Sequence, residues 1–205
     1  DRRKENAVDN SPGRRVEGNL LVSEGLSAIK IRVSDSLRYV GQLQFILYGV
    51  AEAEVFVFAE AGEDRRLKRW LVVQFEGYLE SNTHTYNYRM PLRMRFGEHE
   101  YMVDAFAANL ERSMAEEPAD SDGARVADLL RQEGYVMPEE AIWTRFVRVI
   151  GEDRRRELLI IYTEDLNVLG FSVEGLPMDQ PLPQEHPALE GLWRRAGEAF
   201  AVVEG

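Results

Sequence analysis

Apolar and polar residues alternate along much of the chain with a period of two, which is the pattern of strands with two different faces. Short turn sequences that contain Gly, Asp or Asn separate these segments, so neighbouring segments are expected to pair as antiparallel hairpins. The predicted strands cover residues 18–23, 28–33, 42–48, 54–59, 67–79, 84–89, 142–150 and 156–163, with a short last strand at 168–173. Six or more antiparallel strands in series tend to curl, which predicts a curved antiparallel sheet or a partial β-barrel.

Two regions have apolar residues at helical spacing instead. The first is an inserted helical pair, with one helix predicted over residues 98–116 and a second that begins at Ser121 or Asp122 and ends before Gly134. The second is a C-terminal helix. Its predicted apolar face consists of Leu189, Leu192, Trp193, Ala196, Phe200 and Val203. These helices must cover the sheet to bury their apolar sides, so the predicted fold class is α+β.

The domain organisation predicted from this pattern is simple. Residues 1–15 are polar and charged and are expected to form a flexible tail, and residues 16–205 form a single α+β domain. The chain begins at Asp1 and not at Met. The localisation is therefore left open between the cytoplasm and export or anchoring through a preceding segment.

Composition excludes several classes of function. The formal net charge is −11, and a negatively charged protein repels phosphate groups, so no nucleic acid is expected as a partner. No run approaches the about 20 apolar residues of a membrane-spanning helix. There is no cysteine, and the three histidines have no ligand at a recognised spacing, so no metal site is predicted. Nucleotide-binding loops and nucleophile motifs are also missing, so no cofactor is predicted.

The predicted strand at residues 67–79 contains the most informative candidate site. From Leu71 to Leu79 one of its sides carries only apolar residues and glycine, whereas the other mixes aromatic rings with an amide and a carboxylate. The following segment adds two tyrosines that a hairpin would bring beside them. The predicted ligand-binding residues are Trp70, Gln74, Glu76, Tyr78, Tyr86 and Tyr88.

Three hypotheses for function follow. The leading hypothesis is a non-catalytic domain that binds or senses a small apolar or aromatic ligand, because pockets combine apolar walls with a few fixed polar groups. The first alternative is a structural or protein-interaction module that forms homo-oligomers through a strand edge or the C-terminal helix. The second is an enzyme that uses a pocket carboxylate, such as Glu76, as its acid or base. The arginines at 154–156 are expected to be solvated.

Overall fold

The computed structural model describes residues 13–176 and 180–203, and this part of the chain has an α+β fold with two antiparallel sheets and three α-helices. The strands are β1 (Arg14–Glu17), β2 (Leu20–Ser23), β3 (Ile29–Val33), β4 (Arg38–Leu47), β5 (Ala51–Ala61), β6 (Leu67–Tyr78), β7 (Leu92–Phe96), β8 (His99–Asn109), β9 (Glu140–Ile150), β10 (Arg156–Asp165) and β11 (Phe200–Val203). The helices are α1 (Leu110–Glu116), α2 (Asp122–Gln132) and α3 (Ala188–Ala199). The predicted fold class is confirmed.

The larger sheet has seven strands in the order β4-β5-β6-β10-β9-β8-β7, and the smaller sheet has four in the order β1-β2-β3-β11. Most sequence neighbours pair as hairpins, as the short polar turns predict, and β9 and β10 meet through the turn at residues 151–155. The predicted hairpin between residues 67–79 and 84–89 is wrong, because β6 pairs with β5 and β10 instead. The larger sheet is open, with β4 and β7 at its two edges. A closed barrel is therefore not formed.

The prediction of a helix over residues 98–116 is wrong as far as Asn109, because residues 99–109 form strand β8. The structure has a strand as far as Asn109 and a helix of seven residues after it. Tyr101 and Ala105 point to one side of the sheet, and Met102 and Phe106 point to the other. Because both sides are covered, apolar residues occupy both, and their spacing imitates that of a helix.

Three further predictions about elements are wrong. Residues 84–89 are not a strand, and residues 168–173 contain part of a short 3₁₀ turn and no strand. The C-terminal helix ends at Ala199, and Phe200 begins β11, which pairs with β3. Residues 1–12 of the predicted tail lie outside the described residues, and β1 begins at Arg14.

Helix α2 has the predicted ends. Ser121 is the N-cap of α2, where its Oγ accepts a hydrogen bond from the backbone N–H of Ala124 at 3.1 Å. Gly134 follows the helix with a φ of 80°, a left-handed conformation that favours glycine. No α-helix in the described part of the chain is long and apolar enough to cross a membrane.

The two sides of the larger sheet are covered differently. The packed face is the side that carries Phe56, Leu71, Val73, Phe146 and Ile160, and it packs against the smaller sheet and α3 in one continuous core. The cavity face is the opposite side. It carries Val57, Trp70, Gln74, Arg145 and Ile161, and it is covered by the helical pair and, further along, by residues 84–90.

Candidate functional site

Strand β6 separates the two faces as its alternation predicts. Leu71, Val73 and Phe75 belong to the packed face, whereas Trp70 and Gln74 are on the cavity face. Both cavity-face side chains are almost completely buried, with exposed fractions of 6% for Trp70 and 1% for Gln74. A buried amide beside a buried tryptophan is unusual for a surface that merely faces solvent.

A cavity of about 370 Å³ lies between the cavity face and the helical pair. Its floor is made by side chains of β6, β8, β9 and β10, and α1, α2 and the loop between them form its roof. The floor includes Trp70, Gln74, Phe106, Trp143, Arg145 and Ile161. Among the roof residues are Leu110, Met114, Glu117, Asp122, Val126 and Ala127. Most of this surface is apolar, with a few polar groups at fixed positions, which is the composition of small-molecule sites.

Two polar side chains in the floor differ in how they are satisfied. Arg145 donates from Nε and Nη2 to the carboxylate of Asp104, at 2.8 and 2.5 Å, so its charge is offset by a bidentate partner. Gln74 donates from Nε2 to Glu76 at 2.9 Å, but its Oε1 is buried and accepts no hydrogen bond from the described residues. A buried acceptor without a partner is costly, so a donor brought by a ligand would stabilise this amide.

Next to the cavity, two carboxylates lie directly opposite each other. The register of β6 and β10 pairs Glu76 with Glu157, and we call these two residues the carboxylate pair. Tyr86 donates its hydroxyl to Glu76 at 2.7 Å, and Tyr88 donates to Glu157 at 2.9 Å. Neither carboxylate forms an ion pair with a basic side chain of the described chain.

The segment at residues 84–90 crosses above the carboxylate pair without joining the sheet. Its backbone is held by arginines of the β9–β10 turn, because Arg154 donates to the carbonyl of Tyr86 and Arg155 donates to the carbonyl of His84 at 2.9 Å. Arg154 is exposed, as expected, whereas Arg155 is half-buried, and both side chains also hold this segment in place. Side-chain donors replace the strand ladder that the alternation predicted, and the ring of Tyr86 stacks on Tyr78 at 4.3 Å.

Burial without a cation changes the acidity of the carboxylate pair. Burial raises the pKa of Glu157 to about 8, against the hydrogen bond from Tyr88, and the negative charge of Glu76 adds to the increase. Burial also raises the pKa of Glu76, although hydrogen bonds from Tyr86 and Gln74 oppose this effect and the charge of Asp122 adds to it. Two opposed carboxylates that both resist ionisation hold at least one proton between them near neutral pH.

The structure divides the six predicted ligand-binding residues into two groups. Trp70 and Gln74 line the cavity. Glu76, Tyr78, Tyr86 and Tyr88 form the adjoining cluster and are not part of the cavity wall. The cluster brings three predicted rings together, with Tyr86 and Tyr88 nearly parallel at 6.4 Å.

Sequence reasoning missed the part of the floor that β8 and β9 provide. The predicted helix over residues 98–116 includes Phe106, and this prediction does not place its ring on Trp143, where the two ring centroids are 5.8 Å apart. Glu157 was also missed, since only the strand register places it opposite Glu76. Reading 98–109 as a strand would have placed Phe106 in the sheet.

The carboxylate pair has the raised pKa values of an acid–base site but does not lie in the cavity wall. Its raised pKa values and its lack of a basic partner agree with the hypothesis of a pocket carboxylate. However, Tyr86 and Tyr88 bond to the two carboxylates, and neither acid lines the cavity. Among the described residues, no three His, Asp or Glu side chains are grouped as metal ligands.

Comparison of the chain with models of protein families, with curated proteins and with solved structures gives no match in any of the three.

Proposed function

We propose that this protein binds a small, largely apolar molecule in the cavity between the larger sheet and the helical pair, without catalysing a reaction on it. The observation that carries the proposal is Gln74, which is buried in the cavity floor on the same strand as Trp70 and has an acceptor oxygen without a partner among the described residues. A ligand with an apolar body and a hydrogen-bond donor satisfies both features of the floor.

The size of the cavity supports a ligand rather than a packing defect. Protein interiors are packed as densely as organic crystals, and an empty cavity reduces stability in proportion to its volume. The cavity of about 370 Å³ is at the lower end of the range for small-molecule sites, which span about 300–1,000 Å³. The opposite face of the larger sheet packs against the smaller sheet and α3 in one continuous core.

Binding without catalysis is supported by the chemistry of the cavity floor. The two acids of the roof, Glu117 and Asp122, accept hydrogen bonds from Ser121 and from the N–H of Gly123. The polar groups of the cavity floor are an amide, Gln74, a hydroxyl, Thr163, and an arginine already bonded to Asp104. None of these is a nucleophile with an adjacent base or a free general acid. Their arrangement orients a ligand and does not transfer protons to it.

The test is titration with a neutral aromatic probe, N-phenyl-1-naphthylamine, whose fluorescence rises in apolar surroundings. We expect saturable binding by the wild-type protein and at least about tenfold weaker binding by Ala127→Leu, which places a larger side chain in the roof. The matched control is Ala124→Leu, one turn earlier on α2 and outside the cavity wall, which should bind as the wild type does.

Circular dichroism of both variants checks that the helix is retained. Absence of saturable binding by the wild-type protein contradicts the proposal. So does equal binding by Ala127→Leu with its fold intact.

A second candidate, self-association through β4, is favoured by the contrast between the two edges of the larger sheet. Edge strands are normally protected by charge, proline or shortness. Strand β7 has five residues and carries Arg93 and Arg95, whereas β4 has ten and no charged residue after Arg38. Tyr39 and Ile46 are exposed on β4, so pairing of two copies at this edge would bury both side chains.

Analytical ultracentrifugation over a concentration series tests this candidate. We expect a dimer that Ile46→Lys dissociates, because lysine on an edge strand opposes pairing and its charge would be buried in the interface without a partner. Val168→Lys, at an exposed apolar residue away from the edge, should leave the dimer intact. A wild-type protein that is monomeric at every concentration rules out pairing at this edge.

A further inference from the structure

The charges around the cavity are unbalanced. Glu117 and Asp122 line the roof where α2 begins, and Arg145 lies in the floor. Since Arg145 is bonded to Asp104 through two of its nitrogens, it does not offset the acids of the roof. The cavity therefore has two acidic side chains and no free cation among the described residues that line it.

The N-terminus of α2 stabilises these two acids. Because they occupy it, it does not form a binding site for anions. The partial positive charge of a helix N-terminus stabilises carboxylates beside it. Ser121 donates to Glu117 at 2.8 Å and accepts from the N–H of Ala124. Asp122 accepts from the N–H of Gly123 at 2.9 Å. The helix end is thus occupied by the protein's own acids and offers a net negative surface.

The cavity floor has one unsatisfied acceptor and a carboxylate close to it. Gln74 Oε1 has no partner among the described residues, and Glu76 lies two residues further along the same strand. Asp122 is near enough to Glu76 for its charge to act on that carboxylate, which links the acids of the roof to this end of the floor. This end of the cavity has more acceptors than donors, and a cationic N–H group would supply what is missing.

The floor also contains aromatic rings, whose faces attract cations as well as apolar groups. One of them is already used in this way, because the guanidinium of Arg145 lies over the ring of Phe106 at 5.0 Å from its centroid. Trp70 and Trp143 both line the cavity, and Phe106 stacks on Trp143 with an angle of 21° between the rings. Tryptophan is the most favourable aromatic partner for a cation. The net charge of −11 also raises the local concentration of cations around the whole protein.

We infer that the ligand is an apolar or aromatic amine that carries a positive charge, held with its ammonium group toward Gln74, Glu117 and Asp122 and its apolar body over Trp70, Phe106 and Trp143. This inference rests on the proposed function, because it names the class of molecule that the same cavity takes.

Three probes with one aromatic body test the inference: 1-naphthylmethylammonium, 1-naphthalenemethanol and 1-naphthoate. Binding is followed by the fluorescence of the tryptophans, two of which line the cavity. We expect the ammonium probe to bind at least about tenfold more tightly than the alcohol and the carboxylate to bind most weakly. The advantage of the ammonium probe should shrink as salt is added, because the acids at the roof are partly exposed.

Variants then assign the preference to residues. The double variant Glu117→Gln with Asp122→Asn should bring the ammonium probe within about threefold of the alcohol, while the alcohol binds as before. Gln74→Leu should reduce ammonium binding more than alcohol binding. The control is Asp128→Asn, an exposed acid of α2 that pairs with Arg131 outside the cavity, and it should change neither affinity.

The outcomes separate the inference from the function on which it rests. If the alcohol binds as tightly as the ammonium probe, or the carboxylate binds more tightly, the inference is wrong and the proposed binding function stands. If the preference persists in the double variant, the assignment to Glu117 and Asp122 is overturned. If none of the three probes binds, and N-phenyl-1-naphthylamine does not bind either, both proposals fail.

Discussion

The two faces of the larger sheet belong to the same strands but are covered in different ways. The packed face is covered by a second sheet and α3, which together form one continuous core. The cavity face is covered by two separate pieces, the helical pair at one end and residues 84–90 at the other. Where a face is covered by separate pieces, the space between them need not be filled, and the cavity lies on that face.

Buried carboxylates show the same difference. Glu164 on the packed face is bonded through both oxygens to Arg195, at 2.6 and 2.7 Å. Glu157, on the same strand but on the cavity face, has a tyrosine hydroxyl as its partner and faces a second acid. Glu164 is neutralised by a cation, whereas the carboxylate pair is neutralised by a proton. Elsewhere on the cavity face acids do have cationic partners, since Asp104 pairs with Arg145 and Asp165 pairs with Arg66. The contrast between the faces is therefore confined to the carboxylate pair.

The largest expected effect compares two adjacent isoleucines on β10. Ile160 is completely buried on the packed face, whereas Ile161 lines the cavity. We expect Ile160→Ala to lower the free energy of unfolding by about 3–4 kcal/mol and Ile161→Ala to lower it by about 1 kcal/mol, because space already exists beside Ile161. Urea unfolding measures both. Equal losses would show that the two faces are packed alike.

The second prediction concerns the stability of the protein as a function of pH. The pKa of Glu157 is about 8 in the folded protein and close to 4.5 in the unfolded chain. Since the folded state binds this proton more tightly, its stabilising contribution is complete below pH 4.5 and is lost as the pH rises to about 8. The Glu157→Gln variant has no carboxyl group at this position, so it does not lose stability in this way as the pH rises. At pH 8 the variant should therefore be more stable than the wild type by about 1–3 kcal/mol, with a smaller difference at pH 5.

Glu164→Gln is the matched control for that comparison. It removes a carboxylate from the same strand that is paired with Arg195, so it should destabilise the protein at both pH values, by about 2 kcal/mol. Thermal unfolding of the wild type and the two variants at pH 5 and pH 8 gives all the required differences. A Glu157→Gln variant that is less stable than the wild type at pH 8 would mean that Glu157 is ionised and stabilising in the folded state.

The alternation of residues was sufficient to predict most strands and the two kinds of face. Strand β6 carries Leu71 and Val73 on one side and Trp70 and Gln74 on the other, and side chains on a strand must alternate. The same rule failed for β8, because Phe106 and Ala105 are apolar on opposite sides of a strand that is covered twice. Local spacing cannot distinguish such a strand from a helix.

The sequence alone determined the fold class, the hairpins and the placing of Trp70 and Gln74 on one side of a strand, because each depends on neighbours in the chain. The tertiary structure decided that Glu157 faces Glu76, that Arg154 and Arg155 hold residues 84–90 over them, and that Phe106 and Trp143 complete the cavity floor. These contacts join residues far apart in sequence, and only strand order and register bring such residues together.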